Sequence, residues 1–452
     1  MTKTSSKRGG WRSWLAGQGM LGVLLALCAL FSVLTLQPQQ LAGTRAAEAL
    51  VDELVDTAPG TSIAVLSRAG AEGEQFVDEL KRRLDETGRS PILTVAGSPA
   101  AIRAALEGAS GVDVLAVPSD TAAIVGSIQS DLPGLGGARL MSPPTRSWPT
   151  FLLKSNLLNV ASQIAVIAII AIGMTMVILT AGIDLSVGSL IALSAVVTTW
   201  TIARMGGVEA SLPIVLLGAL GGLLAGAVTG ALSGLVITRF RVPPFIATLA
   251  MMQVGSGLAY LISRGRPIHE LPDGFETLGR GADPLLGIPH AVTLMVVLYV
   301  GAWVLLERTV LGRYLHAVGG NPEAARLAGV PVRRVLLFAY TCCGALAGLG
   351  GVLMASQLKS GAPTYGQSYE LHVIAAVVVG GTSLFGGEGK ITGTLIGALI
   401  MGVINNGMNL TNVESYTQKV VLGLVILAAV LFEQLRKHSA EKRAARAGAA
   451  SG

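Results

Sequence analysis

Long apolar runs separated by short polar breaks dominate the chain. From Leu157 onward nine segments reach or approach the roughly 20 apolar residues a helix needs to cross a bilayer. They fall at 157–181, 186–205, 211–237, 243–263, 289–307, 335–357, 370–385, 391–409 and 417–434. A tenth, 18–36, follows a basic N-terminal stretch, residues 1–17, with Lys3, Lys7, Arg8 and Arg12. Gln37-Pro38-Gln39-Gln40 offers no small-x-small cleavage site, so this run is expected to remain as a first transmembrane helix rather than leave as a signal peptide.

Residues 40–148 depart from that pattern. Short β-rich runs (Ser62–Leu66, Ile92–Val95, Val112–Val117) alternate with helix-period stretches such as Phe76-Val77-Leu80-Leu84 and Ile102-Ala105-Leu106. That βαβαβα order predicts a small parallel sheet flanked by helices. Its turns lack the glycine fingerprint of a dinucleotide site. The expected fold is an all-α polytopic membrane protein of about ten transmembrane helices, carrying a small inserted α/β extracytoplasmic domain.

Composition strengthens the membrane reading. Charged residues are 13 % of the chain and the mean hydropathy is +0.63, against roughly 25 % charged in soluble domains. The 58 glycines suit helices that must approach closely in lipid. The net charge of +6 is carried at the two ends and in a few loops. No basic stripe with interleaved aromatics is present, so nucleic acid is not an expected partner. Excess Lys and Arg mark the cytoplasmic side. This places Arg239, Arg241, the loop 308–334, Lys390, both termini and the basic tail 436–452 in the cytoplasm, with 40–148 outside.

Enzymatic chemistry finds no support. Cys28, Cys342 and Cys343 fit neither a disulfide framework nor a metal site, and five histidines show no metal-ligand spacing. Gly386-Gly387-Glu388-Gly389-Lys390-Ile391 looks like a phosphate loop, but Ile391 stands where Ser or Thr is needed and Leu384 where Gly is needed. No catalytic residue, metal or cofactor is therefore expected, and any energy for transport must come from another subunit.

The polar breaks carry the candidate sites. Within Arg308–Arg334, Asn321-Pro322-Glu323 reads as a helix start, with a capping amide, a first-turn proline and an acid at the positive end of the dipole. Gly329 and Pro331 end that helix. Asp184, in Gly182-Ile183-Asp184-Leu185-Ser186, is costly in a membrane segment. It either caps the next helix or lines a solute path together with Ser186. Asn405 and Asn409 share one helix face, either lining the path or tying helices together, with Asn406 beside them. Glu370 and His372 are expected at the outer mouth of a span. Thr180–Leu193 and Gly381–Leu399 echo each other as Gly-rich breaks leading into Leu-Ile runs, the paired interruption that marks a transport route.

The run from about Leu157 to Leu435 resembles the permease subunits of ribose-type ATP-binding-cassette importers of monosaccharides such as ribose, xylose and galactose. The resemblance is carried by 171–193 (AIGMTMVILTAGIDLSVGSLIAL), 244–252 (PFIATLAMM), 311–330 (LGRYLHAVGGNPEAARLAGV), 375–385 (AAVVVGGTSLF) and 394–409 (TLIGALIMGVINNGMN). It implies a permease domain, 157–435, in the bacterial inner membrane, working as a homodimer with a cytoplasmic ATPase subunit of double-cassette type and an extracytoplasmic sugar-binding protein. It also implies that Gly312, Arg313, Gly319, Gly320, Asn321, Ala324, Ala325 and Gly329 belong to the loop, 308–334, that couples to the ATPase. The segment 40–148 is absent from typical members. It leaves open a docking module, a binding module or a spacer. The alternatives are an ion-driven secondary carrier and a permease-like sensor that uses the outer domain.

Overall fold

The computed structural model describes residues 19–39, 41–109, 111–284 and 286–449. The basic N-terminal stretch expected at 1–17 lies outside the described residues, as do the last three residues of the tail. The chain divides into two compact units, Val33–Leu152 and the remainder.

The helix α1 (Gly19–Leu34) leads into the smaller unit. There β1 (Leu36–Gln39), α2 (Gly43–Val55), β2 (Ile63–Arg68), α3 (Ala71–Glu86), β3 (Leu93–Gly97), α4 (Pro99–Glu107), β4 (Val114–Ala116), α5 (Ser119–Asp131), β5 (Arg139–Met141) and β6 (Arg146–Pro149) follow in order. Strands β2 to β5 form a parallel sheet in the order β3-β2-β4-β5. Successive residues of β2 face opposite sides, so Ile63 and Val65 pack under Leu50, Leu54, Phe76 and Leu80 of α2 and α3. Ala64 and Leu66 pack against Ile102, Leu106 and Val125 of α4 and α5. Short β1 and β6 pair antiparallel at the two ends of the unit.

The larger unit continues with α6 (Lys154–Leu179), α7 (Val187–Met205), α8 (Leu212–Phe240), α9 (Pro244–Ser263), α10 (Thr277–Arg280), α11 (His290–Arg308), α12 (Val310–Gly320), α13 (Pro322–Leu327), α14 (Val332–Leu358), α15 (Tyr369–Val379), α16 (Ile391–Leu410) and α17 (Ser415–Ala449). Among the described residues seven helices, α6 to α9, α11, α14 and α16, are long and apolar enough to cross a membrane. The other expected spans fall on shorter apolar helices: α1, α15 and the Ser415–Leu431 part of α17.

Helix α8 shows why glycine is so frequent. Gly218, Gly222, Gly226 and Gly230 recur every fourth residue and are buried. A β-carbon on Gly226 would lie 2.8 Å from the Gly348 α-carbon, and one on Gly230 would lie 3.0 Å from that of Gly344, so α8 and α14 meet backbone to backbone. Leu216, Leu220, Leu224, Val228 and Leu232, half a turn away, are exposed as a lipid-facing stripe.

Candidate functional site

Helix α6 stops at Leu179 because Ala181 takes a left-handed backbone conformation (φ 59°) and Gly182 follows. Asp184 is fully buried in the break. Its Oδ1 accepts from the Ser186 N–H at 2.9 Å and the Ser186 hydroxyl at 2.6 Å, an Asx turn that sets up the start of α7. Its Oδ2 has no hydrogen-bond partner among the described residues, and neither does the nearby Tyr340 hydroxyl, over which Gly182 packs. Ser186 is equally buried. The two bonds that Asp184 accepts from Ser186 are local, the geometry of a turn-forming residue, and the Cys343 thiol of α14 also lies against its carboxyl.

The second break, residues 380–390, folds directly onto the first. The Gly387 N–H donates to the Leu179 carbonyl at 2.9 Å. A β-carbon on Gly386 would stand 2.8 Å from the Ala181 nitrogen. The two echoing stretches of sequence are thus in backbone contact. Thr175 of α6 and Thr394 of α16 add a buried hydroxyl pair at 2.8 Å.

The polar loop 308–334 joins the same point. It is two helices, α12 and α13, rather than the single short helix expected over Asn321–Gly329. Thr309 caps α12 through the Gly312 N–H, and Gly312 is buried against the Leu306 carbonyl. Gly319 packs against the Leu179 carbonyl, and a β-carbon there would lie 2.5 Å from the Gly387 nitrogen. His316 reaches the Gly389 carbonyl at 3.2 Å. Asn321 caps α13 by accepting from Glu323 and Ala324 N–H groups at 3.0 and 2.9 Å. Gly329 closes α13 at φ 84°. The Arg326 guanidinium beside Glu323 holds that carboxyl below its ordinary range.

The sequence-selected residues divide by position. Gly312, Gly319 and Ala325 are buried and hold the loop in place, whereas Arg313, Gly320, Asn321, Ala324 and Gly329 are exposed. Leu327, which sequence reading passed over, is 76 % exposed on α13. Asn405 is half-buried, and exposed Asn409 accepts from Gln418 at 2.8 Å. The buried amide is Asn406, paired reciprocally with Asn156 of α6 at 3.0 and 2.9 Å. Only packing distinguishes these neighbouring asparagines. Among the described residues no group of three or more His, Cys, Asp or Glu could hold a metal ion.

Residues 156–430 match the family described as branched-chain amino acid transport system / permease component. The chain belongs to this permease family. It is 50 % identical over 294 residues to the ribose import permease protein RbsC of Bacillus subtilis (strain 168), covering 65 % of this chain and 88 % of that protein. To RbsC of Escherichia coli (strain K12) it is 45 % identical over 293 residues, 64 % and 88 % of the two chains. To the L-arabinose ABC transporter permease protein AraH of Azospirillum brasilense it is 39 % identical over 290 residues, 64 % and 83 % of the two chains. No solved structure matches. The permease is a multi-pass protein of the inner membrane and a transport component rather than an enzyme. ATP hydrolysis resides in a separate subunit, and a substrate-binding protein is the other partner.

Proposed function

We propose that this permease forms the solute path of a monosaccharide importer of the ribose type, and that α12–α13 couples it to the ATPase. The observation that carries the coupling is the three-way junction at Gly319, where α12, the end of α6 and the loop 380–390 meet through backbone atoms. An ATPase that displaces α13 on closing would move α12 as a rigid lever. Gly319 would pass that movement to Leu179 and Gly387, and so to both breaks. Leu327, with Arg313, Gly320 and Ala324, forms the face offered to the ATPase.

We assign ten spans, with α1, α15 and α17 as the short ones, both termini and the loop 308–334 in the cytoplasm, and residues 40–148 as an extracytoplasmic α/β domain. The positive charge of the loop and of the tail supports that orientation. Two copies of the chain would enclose the route, with a double-cassette ATPase inside and a sugar-binding protein outside. Ribose and arabinose, the solutes in the relatives' names, set the substrate class.

The test is Leu327→Asp. The charge at this exposed position leaves the fold of the permease unaltered and is expected to strip the ATPase subunit from the purified complex, with sugar uptake lost. Undiminished co-purification would refute docking through α13.

A further inference from the structure

Glu370, expected with His372 at the outer mouth of a span, packs against Gly188 at the start of α7. After α14 ends at Leu358, the chain turns back and descends beside α7. Gly361 lies against the middle of α7, where its β-carbon would be 2.8 Å from the Ala195 carbonyl and would also meet Thr199. Gly366 lies nearer the start of α7, where its β-carbon would be 2.7 Å from the Ile191 β-carbon and would also meet the Gly188 carbonyl. At 1.5 Å per helical residue the segment drops about 11 Å between those two contacts. There α15 begins at Tyr369, and it has 11 residues where the apolar run promised about 16 because it ends at Val379, ahead of the Gly380-Gly381 break.

The Glu370 carboxylate consequently packs on Gly188, in the first turn of α7. From the Met205 end of α7 this is about 25 Å, most of the thickness of a hydrocarbon core. None of the ion pairs among the described residues includes Glu370. Around it Thr364, Gln367 and Ser368 are exposed, and Glu370 and His372 are half-buried. Irregular backbone with exposed polar side chains cannot face lipid at this depth, because nothing there would satisfy it. It is stable where it borders water. An unpaired carboxylate at such a depth marks a functional surface.

We infer that Thr364–His372 lines the solute route and that Glu370 accepts hydrogen bonds from hydroxyl groups of the passing solute. A carboxylate flanked by an amide and a hydroxyl offers acceptors and donors in alternation, the pattern that a neutral polyhydroxylated molecule requires. The inference rests on the transport reading above and adds to it the residues that touch the cargo.

Two measurements test it. In the full chain with Cys28, Cys342 and Cys343 replaced by alanine, Gln367→Cys and Ser368→Cys should react with a charged methanethiosulfonate reagent in membranes, with or without ATP, and D-ribose should slow the reaction. Leu224→Cys on the lipid-facing stripe should not react. Failure of both cysteines to react in every nucleotide state, or their cross-linking to a second copy, would overturn the inference while leaving the permease assignment standing. In uptake assays Glu370→Ala should raise the half-saturating solute concentration about tenfold or more, the loss of one charge-assisted hydrogen bond. Glu370→Gln should recover part of that loss with an altered preference among sugars. An unchanged half-saturating concentration in both variants would refute the contact.

Discussion

Replacing Gly319 with alanine isolates the junction between the coupling loop and the membrane helices. A methyl group there would overlap the Leu179 carbonyl oxygen and stand 2.5 Å from the Gly387 nitrogen and 2.8 Å from the Leu179 carbonyl carbon. All three are backbone atoms of other elements, so no side-chain rotation relieves the overlap and α12 must back away from both. Overpacking of this kind costs about 1–3 kcal/mol, and a backbone clash belongs at the upper end. Alanine returns up to about 1 kcal/mol in helix propensity. The difference, about 2 kcal/mol, is roughly a thirtyfold shift against the closed junction. Gly320 is the internal control, because a β-carbon there meets nothing within 4 Å. Initial rates of labelled-sugar uptake, read beside ATPase activity of the assembled complex, provide the assay. Gly319→Ala should lower uptake more than tenfold while the ATPase subunit still co-purifies, and Gly320→Ala should match the unaltered protein. Equal uptake by the two variants, whether both fail or both work, would refute the lever.

Asp184→Asn keeps an acceptor for Ser186 and should retain transport, whereas Asp184→Ala leaves a buried N–H unpaired at a cost of about 1–3 kcal/mol and should lose both stability and uptake; loss of transport in a stably folded Asn variant would instead put the charge on the solute path. Asn406→Leu removes the amide pair with Asn156 and should lower the thermal midpoint in detergent, with a cost near 1–2 kcal/mol, while Asn405→Leu changes it little. The Lys359–Asp273 pair predicts a pH profile: Lys359 holds the Asp273 carboxyl below its ordinary value, and Asp273 raises Lys359. Its contribution is full between about pH 4 and pH 10, fades as pH falls through the lowered carboxyl and fades again as pH rises through the raised amine. Asp273→Asn should flatten the acid side of a thermal-unfolding profile, and an unchanged acid side would remove the pair from the account.

Much of this architecture is legible in the sequence, and the exceptions share a cause. Hydrophobic runs announce helices because each must bury its own backbone polarity in lipid, and alternating β and helical periods announce the parallel sheet at Ile63–Arg68 and its neighbours. The cap at Asn321 and the stop at Gly329 are local chemistry and are where their residue types put them. What the pattern cannot carry is depth. The run 370–385 has the composition of a crossing, yet its first residues are reached by a descending loop whose course is set by the fit of Gly361 and Gly366 against α7. Choosing Asn406 over Asn405 and Asn409 likewise depends on Asn156, 250 residues away. The two Gly-rich breaks suggested a repeat in sequence, but only the fold reveals that they touch.

The glycine face of α8 makes tolerance to mutation one-sided. Ordinary cores are damaged by trimming side chains and can be repaired by refilling the hole. Along Gly226 and Gly230 there is nothing to trim, and every substitution can only add atoms between two main chains. Gly→Ala exchange, a standard route to a more heat-resistant helix, is therefore closed at these positions. It stays open at Gly257 and Gly301, where an added methyl meets nothing within 4 Å, so a hardier version of this protein is to be sought on its outer rim rather than along its central seam.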